Sequence, residues 1–173
     1  MLQTEHAQAI RMAEWVALHR QTNPTADRWA AGYGPIQHAM ETQARVMMMA
    51  ESLAVRNSRS DGVPLFELLY AADRVASAAM WLVAHETYTR NVYLDGRDLA
   101  PEDFKPHPEG HTGGALNMVP AYAGYMAINA ITGLTRAWMM GQGHCVAAID
   151  MVNLVLDNMT SAHANRYSLT DGG

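Results

Sequence analysis

Apolar residues recur through most of the chain with the three- and four-residue spacing of a helix, interrupted by short polar, glycine- or proline-containing stretches. This pattern predicts a run of helices and one buried strand. The predicted helices cover Thr4–Gln21, Pro35–Arg56, Pro64–Val92, Ala115–Ile131 and Cys145–Leu156, and the predicted strand covers Leu134–Met140. From the pattern alone, the expected fold class is a helix-rich α/β domain.

The stretch after the first predicted helix is expected to be a loop that contributes to the core. Asn23 and Pro24 end that helix, because a residue before proline disfavours helical backbone angles. Trp29 follows in the predicted loop, where we expect it to cover an edge of the core; a ligand-facing position is the alternative. In the next helix, Met47–Met49 are expected to fill the core, although a methionine-rich face also suits an adaptable binding surface.

Composition places the chain among globular proteins and excludes some classes of partner. Of its 173 residues, 49% are hydrophobic and 17% are charged, which suits a domain with a proper core. The net charge of -5 and the lack of a Lys/Arg run argue against a nucleic-acid partner. Charged residues interrupt the apolar stretches before they reach the length of a membrane span, and the N-terminus lacks a signal-peptide pattern. With Cys145 as the only cysteine, we expect a cytoplasmic location.

Two histidines stand beside glycines, on either side of the predicted fourth helix and the strand. His111 lies in Pro108–Gly114, and His144 follows Gly141–Gly143. Glycine lets the backbone approach a ligand closely, and the free N–H groups of a helix that starts after such a loop suit an anion such as phosphate. From the spacing alone, hydrogen bonding of both histidines to nearby backbone is the alternative to a functional role.

Two other kinds of site are excluded by the local sequence. His107 and His111 have the spacing of zinc ligands on a helix, but Pro106 and Pro108 disfavour a helix there, and no metal site is predicted. Cys145 follows a histidine in the way a nucleophile stands beside a base. Adjacent helical residues point in different directions, however, so Cys145 is expected to be a small core residue.

The order of these motifs resembles the N-terminal part of the phosphoketolases, within the transketolase-like thiamine diphosphate enzymes. The resemblance runs from about Leu68 to Asn158. It is carried by Ala72–Leu82, Thr87–Leu94, the Leu-x-Pro-Glu-x-x-Lys segment Leu99–Lys105, the loop around His111, and the strand, Gly-x-Gly-His and helix of Leu134–Asn158. It implies the first part of a transketolase-like thiamine diphosphate-binding fold. Residues 1–62 would form an N-terminal helical arm, and residues 63–173 the first part of the diphosphate-binding domain.

The resemblance also implies an activity and the residues that carry it. Phosphoketolases are carbon–carbon lyases that cleave xylulose 5-phosphate or fructose 6-phosphate with inorganic phosphate, giving acetyl phosphate and an aldose phosphate. The implied cofactors are thiamine diphosphate and Mg²⁺, and a homodimer is implied because the cofactor lies between subunits in this group. His111 and His144 are the implied catalytic residues, with His111 facing the substrate and His144 near the diphosphate. The implied cofactor-binding residues are Gly110, Gly113, Gly143 and His144.

Departures from the family pattern keep other functions open. The family's Gly-Asp-Gly magnesium motif is missing, and Asp171–Gly173 does not replace it because no apolar strand precedes it. We therefore expect the metal ligands outside this chain, which would be the inactive first part of a longer enzyme. Thr112 stands where the family has Trp, and Cys145–Ala147 where it has Gly-Gly-Pro. A transketolase or xylulose 5-phosphate epimerase type of reaction is one alternative, and a non-catalytic helical interaction module is another.

Overall fold

A computed structural model describes residues 2–56 and 64–161 of the chain. The helices are α1 (Leu2–Thr22), α2 (Pro24–Ala30), α3 (Met40–Arg56), α4 (Leu65–Tyr88), α5 (Thr112–Thr132) and α6 (Val146–Val155), with 3-10 turns at Pro101–Asp103 and Gly143–Cys145. The chain divides into two compact units, an N-terminal unit (Met1–Asp73) and a C-terminal unit (Arg74–Gly173). The division of the chain after residue 62 stays a prediction.

The N-terminal unit is built where α1 packs against α2 and α3. Its core contains the fully buried Met47 of α3 and the 2%-exposed ring of Trp29 from α2, with Val16, Ala26, Ala30, Ala44 and Phe66 around them. Trp29 stacks on His38 with ring centroids 4.5 Å apart. The methionine prediction holds for Met47 alone, because Met48 and Met49 are exposed.

The residues after Asn23 form helix α2, so the predicted loop was wrong. The Asn23 side-chain oxygen accepts a hydrogen bond from the Ala26 backbone N–H at 3.1 Å and thereby caps the first turn. Pro24 occupies the first helical position, where proline has no N–H to leave unpaired. The same two residues that end α1 therefore begin a new helix, and this helix places Trp29 in the core.

Helix α3 begins at Met40, and the prediction that it begins at Pro35 was wrong. Tyr33 and Ile36 exchange backbone hydrogen bonds of 3.0 Å, which closes a tight turn around Pro35. Gly32 leads into this turn with φ +76°, and a side chain there would clash with the Ile36 carbonyl oxygen. Proline suits a turn as well as the start of a helix, and here the flanking glycine selects the turn.

Helix α5 packs against α6 in the C-terminal unit. Both helices bury small or β-branched residues, namely Ala115, Val119, Ala123 and Ala127 on α5 and Ala148 and Val152 on α6. Small side chains allow the two helix axes to come close. Helix α5 begins three residues before its predicted start, at Thr112, and ends at Thr132, one residue after its predicted end; Gly133 follows with φ +63° and caps the helix.

Residues 134–140 form no strand, so this part of the α/β prediction was wrong. Within residues 2–56 and 64–161 the bridge pairs are the isolated Tyr33–Ile36 and Thr89–Phe104, and no neighbouring strand is present to pair with the segment. Side chains of α5 hold it instead, since the Tyr125 hydroxyl donates to the Arg136 carbonyl oxygen. The described structure is helix-rich, as predicted.

No helix in the described residues combines the length and the apolar character that crossing a membrane requires.

Candidate functional site

The two predicted histidines meet at one end of α5. His111 directly precedes the first residue of α5, and His144 lies in the 3-10 turn that leads into α6. Their ring centroids are 4.9 Å apart and their planes are inclined by 53°. Gly110 has φ +127°, a backbone angle that favours glycine, and it sets the direction in which the chain enters α5.

Gly114 allows the turn that carries His144 to approach α5 closely. Gly114 lies in the first turn of α5, and a Cβ atom there would stand 3.1 Å from the Cys145 sulfur and 3.2 Å from Cδ2 of His144. Both distances are shorter than ordinary carbon contacts. The absence of a side chain at Gly114 therefore lets the turn that carries His144 pack directly on α5.

Both histidines line a cleft of about 230 Å³ in the C-terminal unit. Helix α4 contributes Val83, Glu86 and Thr87, and the chain before α5 contributes Lys105 and Glu109. The remaining lining residues are Gly110, His111, Thr112, Ala115, Gly143, His144, Val146 and Ala147. The cleft holds several water-sized molecules, since one water takes about 30 Å³ in the liquid.

The glycines implied in cofactor binding fall into two groups. Gly110 and Gly143 line the cleft, whereas Gly113 is not among its lining residues. A Cβ atom at Gly143 would meet nothing within 4 Å, so its backbone stands open to a molecule in the cleft. Gly143 thus has the geometry that close approach requires, and its contact with a cofactor stays a prediction.

Charged groups of both signs face the same cleft. Lys105 donates a hydrogen bond from Nζ to the backbone carbonyl oxygen of Glu86, near the C-terminal end of α4. Partial burial raises the pKa of the Glu86 carboxyl, the negative charge of Asp150 on α6 raises it further, and the Lys105 ammonium opposes both effects. The histidine pair therefore shares the cleft with a carboxyl group that holds a proton more readily than an ordinary glutamate.

A buried carboxylate anchors the segment that carries Lys105. Asp103 is 6% exposed and accepts hydrogen bonds from Asn91 Nδ2 at 2.8 Å, the Ala100 N–H at 2.9 Å and the Tyr93 hydroxyl at 2.9 Å. These bonds, the one from Asn91 foremost, hold the pKa of Asp103 below its usual value. The chain between α4 and α5 is thereby closed on itself two residues before Lys105.

Sequence reasoning did not assign a role to Glu86, Lys105 or Gly114. The sequence could have identified Lys105, because it ends the Leu-x-Pro-Glu-x-x-Lys segment that carries the family resemblance. Glu86 has no such signal, since the other residues that line the cleft lie far from it along the chain. Gly114 stands beside Gly113 in the sequence, and only the packing of Cys145 and His144 distinguishes the two.

Cys145 is fully buried, as expected for a core residue. Its thiol lies 3.6 Å from Oε1 of Gln142, in the turn before α6. A fully buried thiol is shielded from a substrate in the cleft, so the packing of Cys145 and not its reactivity explains its position.

A larger hollow of about 460 Å³ lies in the N-terminal unit. Its apolar lining residues are Ala13, Val16, Ala17, Pro24 and Met40. Its polar lining residues are Gln21, Arg20 and Asp27, and the last two pair with each other at 2.7 Å. Paired charges have less to offer a ligand than the converging histidine, lysine and carboxyl groups of the smaller cleft. The smaller cleft is therefore the candidate site.

The cleft has donors for an anion but does not gather ligands for a metal. Lys105, both imidazoles and the Thr112 hydroxyl are hydrogen-bond donors that suit phosphate oxygens. Across the residues that the structure describes, no group of three or more His, Cys, Asp or Glu side chains is arranged to hold a metal ion.

Comparisons with protein-family models, with curated proteins and with solved structures found no match to this chain.

Proposed function

We propose that this chain supplies the His111–His144 cleft of a phosphoketolase-like enzyme that depends on thiamine diphosphate and Mg²⁺. The proposed reaction cleaves xylulose 5-phosphate or fructose 6-phosphate with inorganic phosphate to acetyl phosphate and an aldose phosphate. The chain would be the first part of the enzyme, and the proposed assembly is a homodimer.

The observation that carries the proposal is the meeting of the two glycine-framed histidines. The motif order suggested a shared site, and the ring centroids lie 4.9 Å apart in one cleft. Two loop histidines with separate structural roles would not be expected to converge on one open cleft. This cleft is also lined by Gly110 and Gly143. Convergence of titratable groups in a concave site favours a catalytic or binding role.

The residues present fit one end of thiamine diphosphate. Gly114 leaves the space in which His144 rests against α5, and the donors of Lys105 and His144 suit the oxygens of a diphosphate. The carboxylate and amide ligands that Mg²⁺ prefers would come from outside this chain. When bound, thiamine diphosphate supplies the carbon nucleophile that carries the cleavage of a carbon–carbon bond.

The histidines would handle protons at the sugar. An imidazole can take a proton from a hydroxyl oxygen and so act as a general base. His111, beside Gly110, is proposed to act at the substrate hydroxyl, and His144, beside Gly143, to donate a hydrogen bond to the diphosphate end of the cofactor. The buried side chains of Val83 and Ala115 form an apolar part of the cleft wall.

The proposed fold is the first part of a transketolase-like α/β domain. Residues 134–140 are largely exposed, with Leu134 61% and Met139 95% accessible. An apolar segment of this kind is suited to join a sheet when neighbouring strands are supplied. We propose that further segments of the enzyme supply those strands.

The test uses the complete product of the gene that encodes this chain. Acetyl phosphate formed from each sugar phosphate and inorganic phosphate is measured for the wild type, His111→Ala and His144→Ala, together with thiamine diphosphate binding by calorimetry. His111→Ala is expected to lower turnover by about 10²–10⁴-fold and to leave cofactor binding nearly unchanged. His144→Ala is expected to weaken both.

His107→Ala is the matched control, because His107 belongs to the same loop but is not among the residues that line the cleft. It is expected to retain wild-type turnover. Unchanged turnover of His111→Ala would contradict the assigned role of that residue. A wild-type protein that neither binds thiamine diphosphate nor forms acetyl phosphate would overturn the proposed function.

A transketolase- or epimerase-type reaction is separated from phosphoketolase by the same assay, because neither requires inorganic phosphate. The helical interaction module is the second candidate, and the exposure of Met48 and Met49 on α3 favours it. Replacing both methionines with glutamate would release a partner bound through this face, while leaving turnover unchanged if the protein is an enzyme.

A further inference from the structure

We propose that Glu86 is the proton acceptor that returns the histidine pair of the cleft to its neutral form. An imidazole that takes a proton from a substrate hydroxyl must lose it before it can act as a base again. In the proposed step the imidazolium N–H bond breaks, a carboxyl O–H bond forms on Glu86, and Glu86 then releases the proton to solvent. This inference rests on the proposed function of the cleft and adds a residue that the family resemblance does not assign.

The placement of Glu86 is the first argument. It lies in the last turn of α4 and lines the same 230 Å³ cleft as His111 and His144. Water molecules fit in a cleft of this volume and can carry a proton between groups that do not touch. Glu86 is also exposed, so a proton that it receives has a direct route to bulk water.

The backbone of Glu86 is fixed by a hydrogen bond. The Lys105 ammonium donates to the Glu86 carbonyl oxygen, and Asp103 anchors the chain just before that lysine. A cation at the C-terminal end of a helix also interacts favourably with the helix dipole. The carboxyl group therefore projects from a held position on α4.

Burial and the surrounding charges set the affinity of the Glu86 carboxyl for protons. The titratable and charged groups around it are Asp150 on α6, Lys105 and Glu109 on the chain before α5, and the two histidines. Burial, then the negative charge of Asp150, raise the pKa of Glu86, so its carboxyl holds a proton more readily than an ordinary glutamate does.

The experiment measures kcat and KM of the complete gene product as a function of pH for wild type, Glu86→Gln, Glu86→Asp and Glu102→Gln. Glu86→Gln is expected to lower kcat by about 10–100-fold with KM nearly unchanged, and to remove the carboxyl from the acidic limb of the pH profile. Glu86→Asp is expected to recover part of kcat. Glu102→Gln is the control, since Glu102 is exposed in the 3-10 turn and is not among the cleft residues.

Chemical rescue separates a proton-transfer role from a structural one. Added formate is expected to restore kcat of Glu86→Ala, because a small carboxylate fits in the cleft, and to leave the wild type unaffected. A Glu86→Gln profile that coincides with the wild-type profile, or a Glu86→Ala protein that folds and is not rescued, would overturn the role of Glu86 alone. A wild type without phosphate-dependent cleavage would overturn the proposed function, and the role of Glu86 with it.

Discussion

Replacing Gly114 with alanine tests whether the close packing of α5 and the His144 turn is as tight as the structure indicates. The added Cβ would lie 3.1 Å from the Cys145 sulfur and 3.2 and 3.3 Å from Cδ2 and Nε2 of His144. The sulfur must move by about 0.3 Å to reach a distance near 3.4 Å, where ordinary contact begins. Cys145 is fully buried and has little room to move, whereas the exposed ring of His144 can turn away.

The adjacent Gly113 provides a matched control for this substitution. A Cβ there would meet nothing within 4 Å, and both glycines lie in the first turn of α5. Alanine should stabilise the helix by about 0.5–1 kcal/mol at either position. At Gly114 the crowding of Cys145 opposes this gain by about 1–3 kcal/mol, the usual cost of overpacking a core. The difference between the two variants isolates the crowding because the helix contribution cancels.

Urea denaturation of the chain, followed by circular dichroism, measures both free energies of unfolding. We expect Gly113→Ala to exceed the wild type and Gly114→Ala to lie about 1–3 kcal/mol below Gly113→Ala. Cys145→Ala should remove most of the difference when combined with Gly114→Ala, because the crowded sulfur is gone. Equal stabilisation by both alanines would refute the close approach of the His144 turn to α5.

The remaining predictions concern carboxyl groups. Asp103→Asn should weaken the loss of stability in acid. The lowered pKa of Asp103 stabilises the fold above the unfolded-state pKa, and this contribution disappears as the pH falls through the folded-state pKa. Melting temperatures from pH 2 to 7 measure this loss in the wild type and the variant. The raised pKa of Glu86 makes its contribution to wild-type stability fall as the pH rises from about 4.5 through the folded-state pKa. Glu86→Gln should therefore gain stability relative to the wild type over that range in the same melting series. Asp73→Asn should destabilise the N-terminal unit by about 1.5–3 kcal/mol, because Asp73 bonds His38 at 2.8 Å with both side chains 12% exposed; urea denaturation should show less than about 1 kcal/mol for the exposed control Glu67→Gln.

Local patterns predicted most of the helices and the residues of the cleft loops. Helix α1 extends only two residues before and one residue after its predicted range Thr4–Gln21, because helical periodicity is encoded within a few turns. The end of α5 at Gly133 was equally local, since glycine takes a positive φ without strain. The family resemblance implied a role for both His111 and His144 but did not predict the distance between their rings, whose centroids lie 4.9 Å apart.

Features that depend on distant residues were not predicted. Residues 134–140 have the apolar composition of a buried strand, but a strand forms only when another strand completes its hydrogen bonds. Trp138 instead packs on Tyr122 and Tyr125 of α5, with ring centroids 5.2 and 4.9 Å away. Helix α2 was missed for a different reason, because Asn23 and Pro24 serve equally well to end one helix and to begin another.

Although residues 134–140 form no strand, the length of this segment accounts for the geometry of the cleft. Helix α5 has 21 residues and is therefore about 31 Å long, which carries the chain far from His111. The nine residues 134–142 can span at most about 30 Å when fully extended, which is about the length of the helix. The hydrogen bond from the Tyr125 hydroxyl to Arg136 holds the segment against α5 on this path. The two histidines meet because the helix and the returning segment match in length, and this match does not require the segment to pair as a strand.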